Sequence, residues 1–464
     1  MGQGEPLKGP TVKLAIRCFL RNVPRQMTRT TKRYPCLALA LCLGAPFLVE
    51  GNHHHWPQWR GPLATGAAPA ANPPIRWSET ENIKWKVAVP GFGTSTPVIW
   101  GDRVFLLTAR ASGNKAEPTP AAGNPFGTFK PEDSYQFILL CYNRADGATL
   151  WQQIAREEVP HEGHHRDHGF ASASPVTDGQ HVFAHFGSRG TYCYDLDGKL
   201  VWERDLGDMQ TRNNFGEGSS PALHGDTLVI NWDHEGDDFI VALDKRTGQT
   251  RWRKDRDEPT GWSTPLVVEH DNRPQVIVNA TGKVRSYDLA TGEQLWELGG
   301  QTANAIPSPV AQDGVAYVTS GFRGSALFAI RLGATGDLAG TEAILWNHNK
   351  STPYVPSPLL HENLFYLVSA NSGRLSCFDA MSGQAHYEAE QLPGLLGIYA
   401  SPVAAAGRVY VMGREGTAVV LKAAPELEVI ATNRLDDKVD ASLALVDGEL
   451  FVRGHQHLYC VTEE

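Results

Sequence analysis

The sequence predicts an all-β fold: an eight-bladed β-propeller of four-stranded antiparallel blades, its last blade closed by an N-terminal strand. Two repeating features predict it. A Ser-Pro or Thr-Pro step recurs at Pro97, Pro175, Pro221, Pro265, Pro309, Pro358 and Pro402, and Ser442-Leu443 opens an eighth unit in the same style. From the second unit onward the prolines are separated by 46, 44, 44, 49 and 44 residues. A period in the mid-forties filled with short strands is that of a propeller blade. The second feature is a hairpin of the form aromatic-Asp-x-x-Thr-Gly-x-x-x-Trp, explicit in residues 242–252 and 286–296.

Each unit is expected to run from the axis outward. The Pro step starts the innermost strand. The first turn follows at Gly101-Asp102, Asp178-Gly179, Gly225-Asp226, Asp313-Gly314 and Asp447-Gly448, residue types that tolerate positive φ. Alternating runs such as residues 275–279 and 408–412 supply the strands. The Trp ends on the outermost strand, a bulky filler between neighbouring sheets, and is therefore structural. Trp151, Trp202, Trp252, Trp296 and Trp346 close blades one to five, and Tyr387 and Ile430 take that place in six and seven. The eighth unit stops before its outer strand. Residues 82–90 supply it, with Trp85 standing where the eighth Trp belongs, and closure removes the exposed sheet edges. Insertions at residues 110–134 and 332–342 read as surface loops without chemistry.

Composition agrees with this reading. The chain has 464 residues, a net charge of −9, 46 Gly and 30 Pro, which suits a turn-dense β globule and not a disordered or helical chain. Residues 77–464 form the propeller, 51–76 an N-terminal extension and 1–50 a targeting segment. A domain of this size buries roughly 75% of its surface, so it needs no metal or disulfide to stand. Arg25, Arg29, Lys32 and Arg33 precede an apolar run at residues 36–49. That is the layout of a secretory signal, or of an uncleaved anchor, and too short for a comfortable membrane span. The protein is expected to be exported, periplasmic or associated with the cell envelope, touching a membrane only through this segment. Cys141, Cys193, Cys377 and Cys460 occupy equivalent places on successive blades, about 10 Å apart and beyond disulfide reach, so they read as buried free thiols.

Loops that cross from an outer strand to the next inner strand share one face with the middle hairpin loops. The middle loops bring Arg189, His234, Lys283, Arg323, Arg374, Arg414 and His455, and the crossing loops Arg212, Asn213, Asn214, Glu217, Trp262, Asn304, Tyr354 and Tyr399. Together they predict a basic, aromatic ring around a channel mouth, suited to an anionic small molecule or an acidic or extended peptide. Basic loop tips that serve solubility alone are the plain alternative.

Residues 160–170, PHEGHHRDHGF, contain His-Glu-x-x-His at His161, Glu162 and His165, the zinc-protease helix motif. Pro160, Gly163 and Gly169, with no apolar stripe, predict a loop instead. A surface metal site using two or three of His161, His164, His165 and His168, with Asp167 as a further ligand, stands against a polar loop whose imidazoles bond to the backbone. The cluster Asp233, His234, Glu235, Asp237 and Asp238 offers calcium ligands or a tight solvated hairpin. No Ser-His-Asp or paired-carboxylate arrangement is defined by spacing. No catalytic residue is predicted, and nothing suggests nucleic acid as a partner.

The hairpin signature and the Ser-Pro-Val openings at Ser174, Ser308 and Ser401 resemble the pyrroloquinoline-quinone (PQQ) repeat family, in particular its non-catalytic, BamB-like branch. The resemblance covers nearly the whole mature chain. It implies a binding or assembly scaffold in the cell envelope that engages a protein or peptide on the loop face. The family also contains quinone-dependent dehydrogenases, so a quinone- or metal-dependent oxidoreductase on the same face, with PQQ or a divalent metal as cofactor, is the alternative. Those enzymes carry a vicinal Cys pair and some a Cys-x-x-Cys-His haem site; neither Cys-Cys nor Cys-x-x-Cys occurs here. Residues 56–62, WPQWRGP, look like the opening of exported proteins with this repeat, and their two Trp are expected to cap the ring.

Overall fold

The computed structural model describes residues 54–113, 127–129 and 131–463. The predicted targeting segment 1–50 and most of the first insertion lie outside the described residues. Eight blades of four antiparallel strands follow one another, the fourth with an added strand at its outer edge, and among the described residues helix is confined to single 3-10 turns at Gly187–Arg189 and Arg212–Asn214. Blade one runs Val98–Trp100, Arg103–Ala111, Tyr135–Asn143 and Thr149–Glu158. Blade eight takes Ala444–Val446, Glu449–Arg453 and His457–Thr462 from the end of the chain and Ile83–Ala88 from its beginning. The closing ladder sets Trp85 opposite Cys460 and Val87 opposite Leu458.

At the axis, the Ser or Thr before each Pro has one recurring task. The backbone N–H of Thr96 donates to Ser174 Oγ, Ser174 to Ser220, Ser220 to Thr264, Thr264 to Ser308, Ser308 to Ser357, Ser357 to Ser401 and Ser401 to Ser442, at 2.9 to 3.0 Å. Each of blades one to seven thus hands one buried N–H to the next blade's hydroxyl, meeting the demand that buried backbone donors be paired.

The periphery has its own coupling between blades. The indole N–H of Trp85, Trp151, Trp202, Trp252 and Trp346 donates to the hairpin carbonyls of Arg144, Leu196, Lys245, Leu289 and Ala380 on the following blade. The ring itself lies on that hairpin's glycine. A Cβ added to Gly147, Gly198, Gly248, Gly292 or Gly383 would fall 2.5 to 2.8 Å from the facing indole. The Gly and the Trp of the signature are therefore partners across a blade junction and not within one hairpin. Blade five departs from this pattern because its last turn is lengthened. Trp296 bonds instead to Gln275 of its own blade, and the inserted Gly336–Asp337 adds a fifth, parallel strand beside it. Leu332 and Leu338 are buried there. The second insertion, expected to be a surface loop, in fact fills the junction between blades four and five.

The N-terminal extension seals one end of the axis. Trp56 is fully buried and pairs with Ile99 of blade one, while Ala67 pairs with Ala404 of blade seven. Asn72 N–H donates to the Asp447 carbonyl in the first turn of blade eight, and Thr177 N–H, at the end of the inner strand of blade two, to that of Pro57. Arg60 is driven into the hub, its guanidinium donating to the carbonyls of Pro358, Pro402 and Thr65. Burial lowers its pKa to about 9. Cys141, Cys193, Cys377 and Cys460 are free and buried, and burial pushes the first three thiols up to about 12, which leaves them inert as nucleophiles.

Ring closure through Trp85 yields a direct prediction. Trp85→Ala should destabilise the fold by about 3–5 kcal/mol, read as a fall in the chemical denaturation midpoint, and a change under about 1 kcal/mol would mean that the closing strand carries little of the stability.

Candidate functional site

With one end sealed, the axis becomes a cup. Its cavity, about 450 Å³, has Trp59 and the hub hydroxyls of Thr96, Ser174, Ser220, Thr264, Ser308, Ser401 and Ser442 among its lining residues. Above the hub, the chain entering each inner strand is extended, so side chains alternate and the residue two before each hub Ser or Thr also faces the axis. These positions are Thr94, Ser172, Gly218, Trp262, Ile306, Val355, Tyr399 and Asp440, and all eight line the cavity.

Two arcs of different chemistry result. The loops entering blades three, four and six and the middle loop of blade five bring aromatic rings, Phe215 beside Trp262 at 6.4 Å and Phe322 stacked on Tyr354 at 4.8 Å. The Trp262 indole donates to the Gly216 carbonyl at 2.7 Å. Asn304, buried and at φ 55°, accepts from Arg212 at 3.2 Å. The remaining arc is a charge network. Arg414 donates to both oxygens of Asp440 at 2.6 and 3.1 Å and to Asp167 at 3.2 Å, and its guanidinium carbon stands 3.8 Å over the Tyr399 ring. His455 Nε2 meets Asp440 at 2.9 Å. Burial alone would raise the Asp440 carboxyl, but the hydrogen bonds from His455 and Arg414 overcome it and hold the group below the usual carboxylate range.

The sequence-derived candidates divide accordingly. Trp262, Asn304, Tyr354 and Tyr399 line the cavity, and Arg414 and His455 reach it through Asp440. Arg212 stands at the lip on Asn304, Asn213 is exposed at φ 53°, and Arg323 lies exposed over Phe322. The others are drawn away. Arg189 is buried against Glu158 at 3.0 Å, and Lys283 pairs with Glu297 at 2.6 Å. His234 is buried, accepting the Gln210 N–H at 3.0 Å. The basic ring expected around the mouth is thus largely compensated by carboxylates. Phe215, Phe322, Asp440 and Trp59 are not among the sequence-derived site candidates, and Asp167 is one only as a metal ligand beside the histidines; the two-residue offset from the hub would have found Asp440.

The histidine-rich segment is not a helix. His164–His165 pairs with Thr128–Phe129 in a short two-stranded ladder. His161 donates to the Met209 carbonyl, His164 to that of His165 and His168 to that of Gly169, while His165 accepts the Asp167 N–H. Asp233 is taken by Arg256 in a fully buried pair at 2.6 Å, Glu235 by Thr260 and Asp238 by the Glu258 N–H. Among the described residues no group of three or more His, Cys, Asp or Glu is arranged to hold a metal ion. PQQ, a planar tricarboxylate, also fits poorly. No Lys or Arg belongs to the cavity lining, the two lining carboxylates would repel it, and Arg414 is already shared between them.

Burial drives the His168 imidazole down to about 3, with His164 reinforcing the shift. The ring is neutral in the folded chain yet ordinary, near 6.5, in the unfolded one. The unfolded state therefore binds more protons below that value, so stability is complete above about pH 6.5 and falls as the pH drops toward 3. His168→Asn should flatten the dependence of the melting temperature on pH between about 6 and 4; an unchanged slope would mean that the ring titrates as it does in water.

The profile of a family described as "Outer membrane protein assembly factor BamB" matches residues 136–387, just over half of the chain. No curated protein matches the sequence. Among solved structures, BamB from Moraxella catarrhalis aligns with a TM-score of 0.55 at 14% identity, over 81% of this chain and 98% of that one. The quinohemoprotein alcohol dehydrogenase from Comamonas testosteroni aligns with a TM-score of 0.60 at 12% identity, over 88% and 80%. A computationally designed protein, Ika8, gives 0.52 at 13% identity, over 82% and 100%. At such identities the likeness is one of fold, which is compatible with more than one activity.

Proposed function

The chain belongs to the PQQ-like repeat family of the outer membrane protein assembly factor BamB, and from that premise we propose that it is an exported binding scaffold of the cell envelope whose loop face seats part of a protein or peptide partner. The observation that carries this reading is the one-ended aromatic cup. Trp59 belongs to its lining, from the extension that seals the far end, so whatever enters must leave by the same mouth. A receptor for a projecting segment has that shape; a conduit does not. Aromatic side chains give large contact area at small entropic cost and recur at the centres of binding surfaces.

The rim supports the same reading. Leu396, in the loop that crosses from blade six to blade seven, is 82% exposed, while its neighbour Leu395 is buried and Tyr399 lines the cavity. A leucine presented to solvent beside an aromatic cavity is suited to meeting an apolar partner. The oxidoreductase alternative rests on the fold it shares with the alcohol dehydrogenase. It would require a cofactor for which the lining offers no cations.

Position-specific photocrosslinking in cells of the native host tests the proposal. A crosslinker at Leu396 should give a discrete protein adduct that is lost, by about tenfold or more, when Trp262 and Tyr354 are both changed to Ala. A crosslinker at Val429, on the outer strand of blade seven, should not give it. Adducts from 429 alone, or from 396 regardless of the two aromatic residues, would overturn the assignment of the partner to this face.

A further inference from the structure

We propose that the ligand group received by the cup is a soft organic cation, either a guanidinium or a quaternary ammonium, held between aromatic rings and the carboxylate of Asp167. This rests on the loop-face reading given above and specifies its chemistry. The only residues of the cavity lining with formal charge at neutral pH are Asp167 and Asp440. Its imidazoles, His165 and His168, are both pushed down by burial and add no positive charge there. Aromatic faces attract cations through the ring quadrupole, most strongly when water is excluded, and a cavity of about 450 Å³ is of the size that buries a small ligand or one long side chain.

The molecule already uses this recognition on itself. Arg414 lays its guanidinium over Tyr399 at 3.8 Å while bonding to Asp440 and Asp167. That is an aromatic ring and carboxylates arranged around an organic cation, on the polar arc of the same mouth. Across the cavity, Trp262 and Tyr354 line the wall, and no cation of the described residues stands over either ring. Two carboxylates share one guanidinium, which leaves the network with one negative charge before His455 is considered. Asp440 is the inner member, its side chain 3% exposed, whereas that of Asp167 is 29% exposed. Asp167 is therefore the carboxylate an incoming cation can reach. Arg212 and Arg323 stand outside the lining, and so do not fill the site.

The test is a calorimetric titration of the whole folded protein with four compounds: choline, N-acetyl-arginine amide, 3,3-dimethylbutanol as the uncharged isostere of choline, and benzoate. At least one of the two cations should bind saturably at one site per chain, and the isostere and benzoate at least about tenfold more weakly. Choline binding without the blocked arginine would point to a free quaternary ammonium compound, and the reverse to an arginine of a partner. Asp167→Asn should weaken the cation by about tenfold, as should Trp262→Leu, whose melting temperature serves as the control for folding. Equal binding of the isostere, tighter binding of benzoate, indifference to both substitutions, or no binding of either cation would overturn the proposal. If the cations fail while the Leu396 adduct still depends on Trp262 and Tyr354, the ligand class falls and the scaffold reading survives; if the adduct loses that dependence as well, both fall.

Discussion

The structure depends on the hydrogen bond that each blade's innermost residue gives to the next. A Pro at the start of the inner strand in blades one to seven fixes φ and offers no N–H of its own, so the residue before it carries the last donor at the axis; blade eight has Leu443 in that place. That donor is buried and must be met. The Ser or Thr hydroxyl of the neighbouring blade meets it in seven successive links from Thr96 to Ser442. A hydroxyl at this position is therefore the feature that sets adjacent blades in register, and the Ser-Pro step recurs because both halves of it are needed. The outer Trp–Gly contacts repeat the principle at larger radius, where separation between sheets grows and a bulky indole fits.

That register explains how much could be read in advance. Periodicity, turn chemistry and the closing role of Trp85 are local signals with a fixed spacing, and each survives into the structure because a propeller blade contacts chiefly its neighbours. The site was legible in part. Spacing alone places Trp262, Tyr354, Tyr399 and Asn304 in loops of one face, and all four line the axial cavity. Charge pairing was not legible. Arg414 and Asp167 are 247 residues apart in sequence, and no periodic rule says that the blade-seven loop and the histidine-rich crossing loop reach one another. Arg189 and Lys283 looked free for the same reason, since their partners Glu158 and Glu297 sit on outer strands that read as plain solvent-facing sheet.

Arg60 shows a different limit. A fully buried guanidinium is costly unless its donors are met, and in a sequence it reads as a surface residue of a polar extension. The hub makes the site for it. Pro358 and Pro402 begin inner strands with carbonyls turned toward the axis, and one guanidinium spans both. The extension is thereby locked across blades six and seven, and Trp59 is held at the cavity wall. The same insertion gives the ring unlike ends, one covered by its own chain and one open, and so restricts any binding event to the crossing-loop face.

A shared fold with both an assembly factor and an alcohol dehydrogenase is then less paradoxical than it first looks. The hub bonds are made by backbone and hydroxyl groups and fix where eight inward positions lie, two residues before each hub Ser or Thr, without fixing what stands there. Chemistry is carried by those positions and by a few loop tips, which can be exchanged while the register is kept. In this chain they hold Trp, Tyr, Ile, Val and Asp, with small residues on the remaining sector. Joined by Asp167 of a crossing loop, such a set offers ring faces and one accessible carboxylate, and it offers little to an anionic cofactor that must be held by several cations. The chemistry of this cup is thus set by the inward positions and a few loop residues around an axis whose register the hub bonds hold.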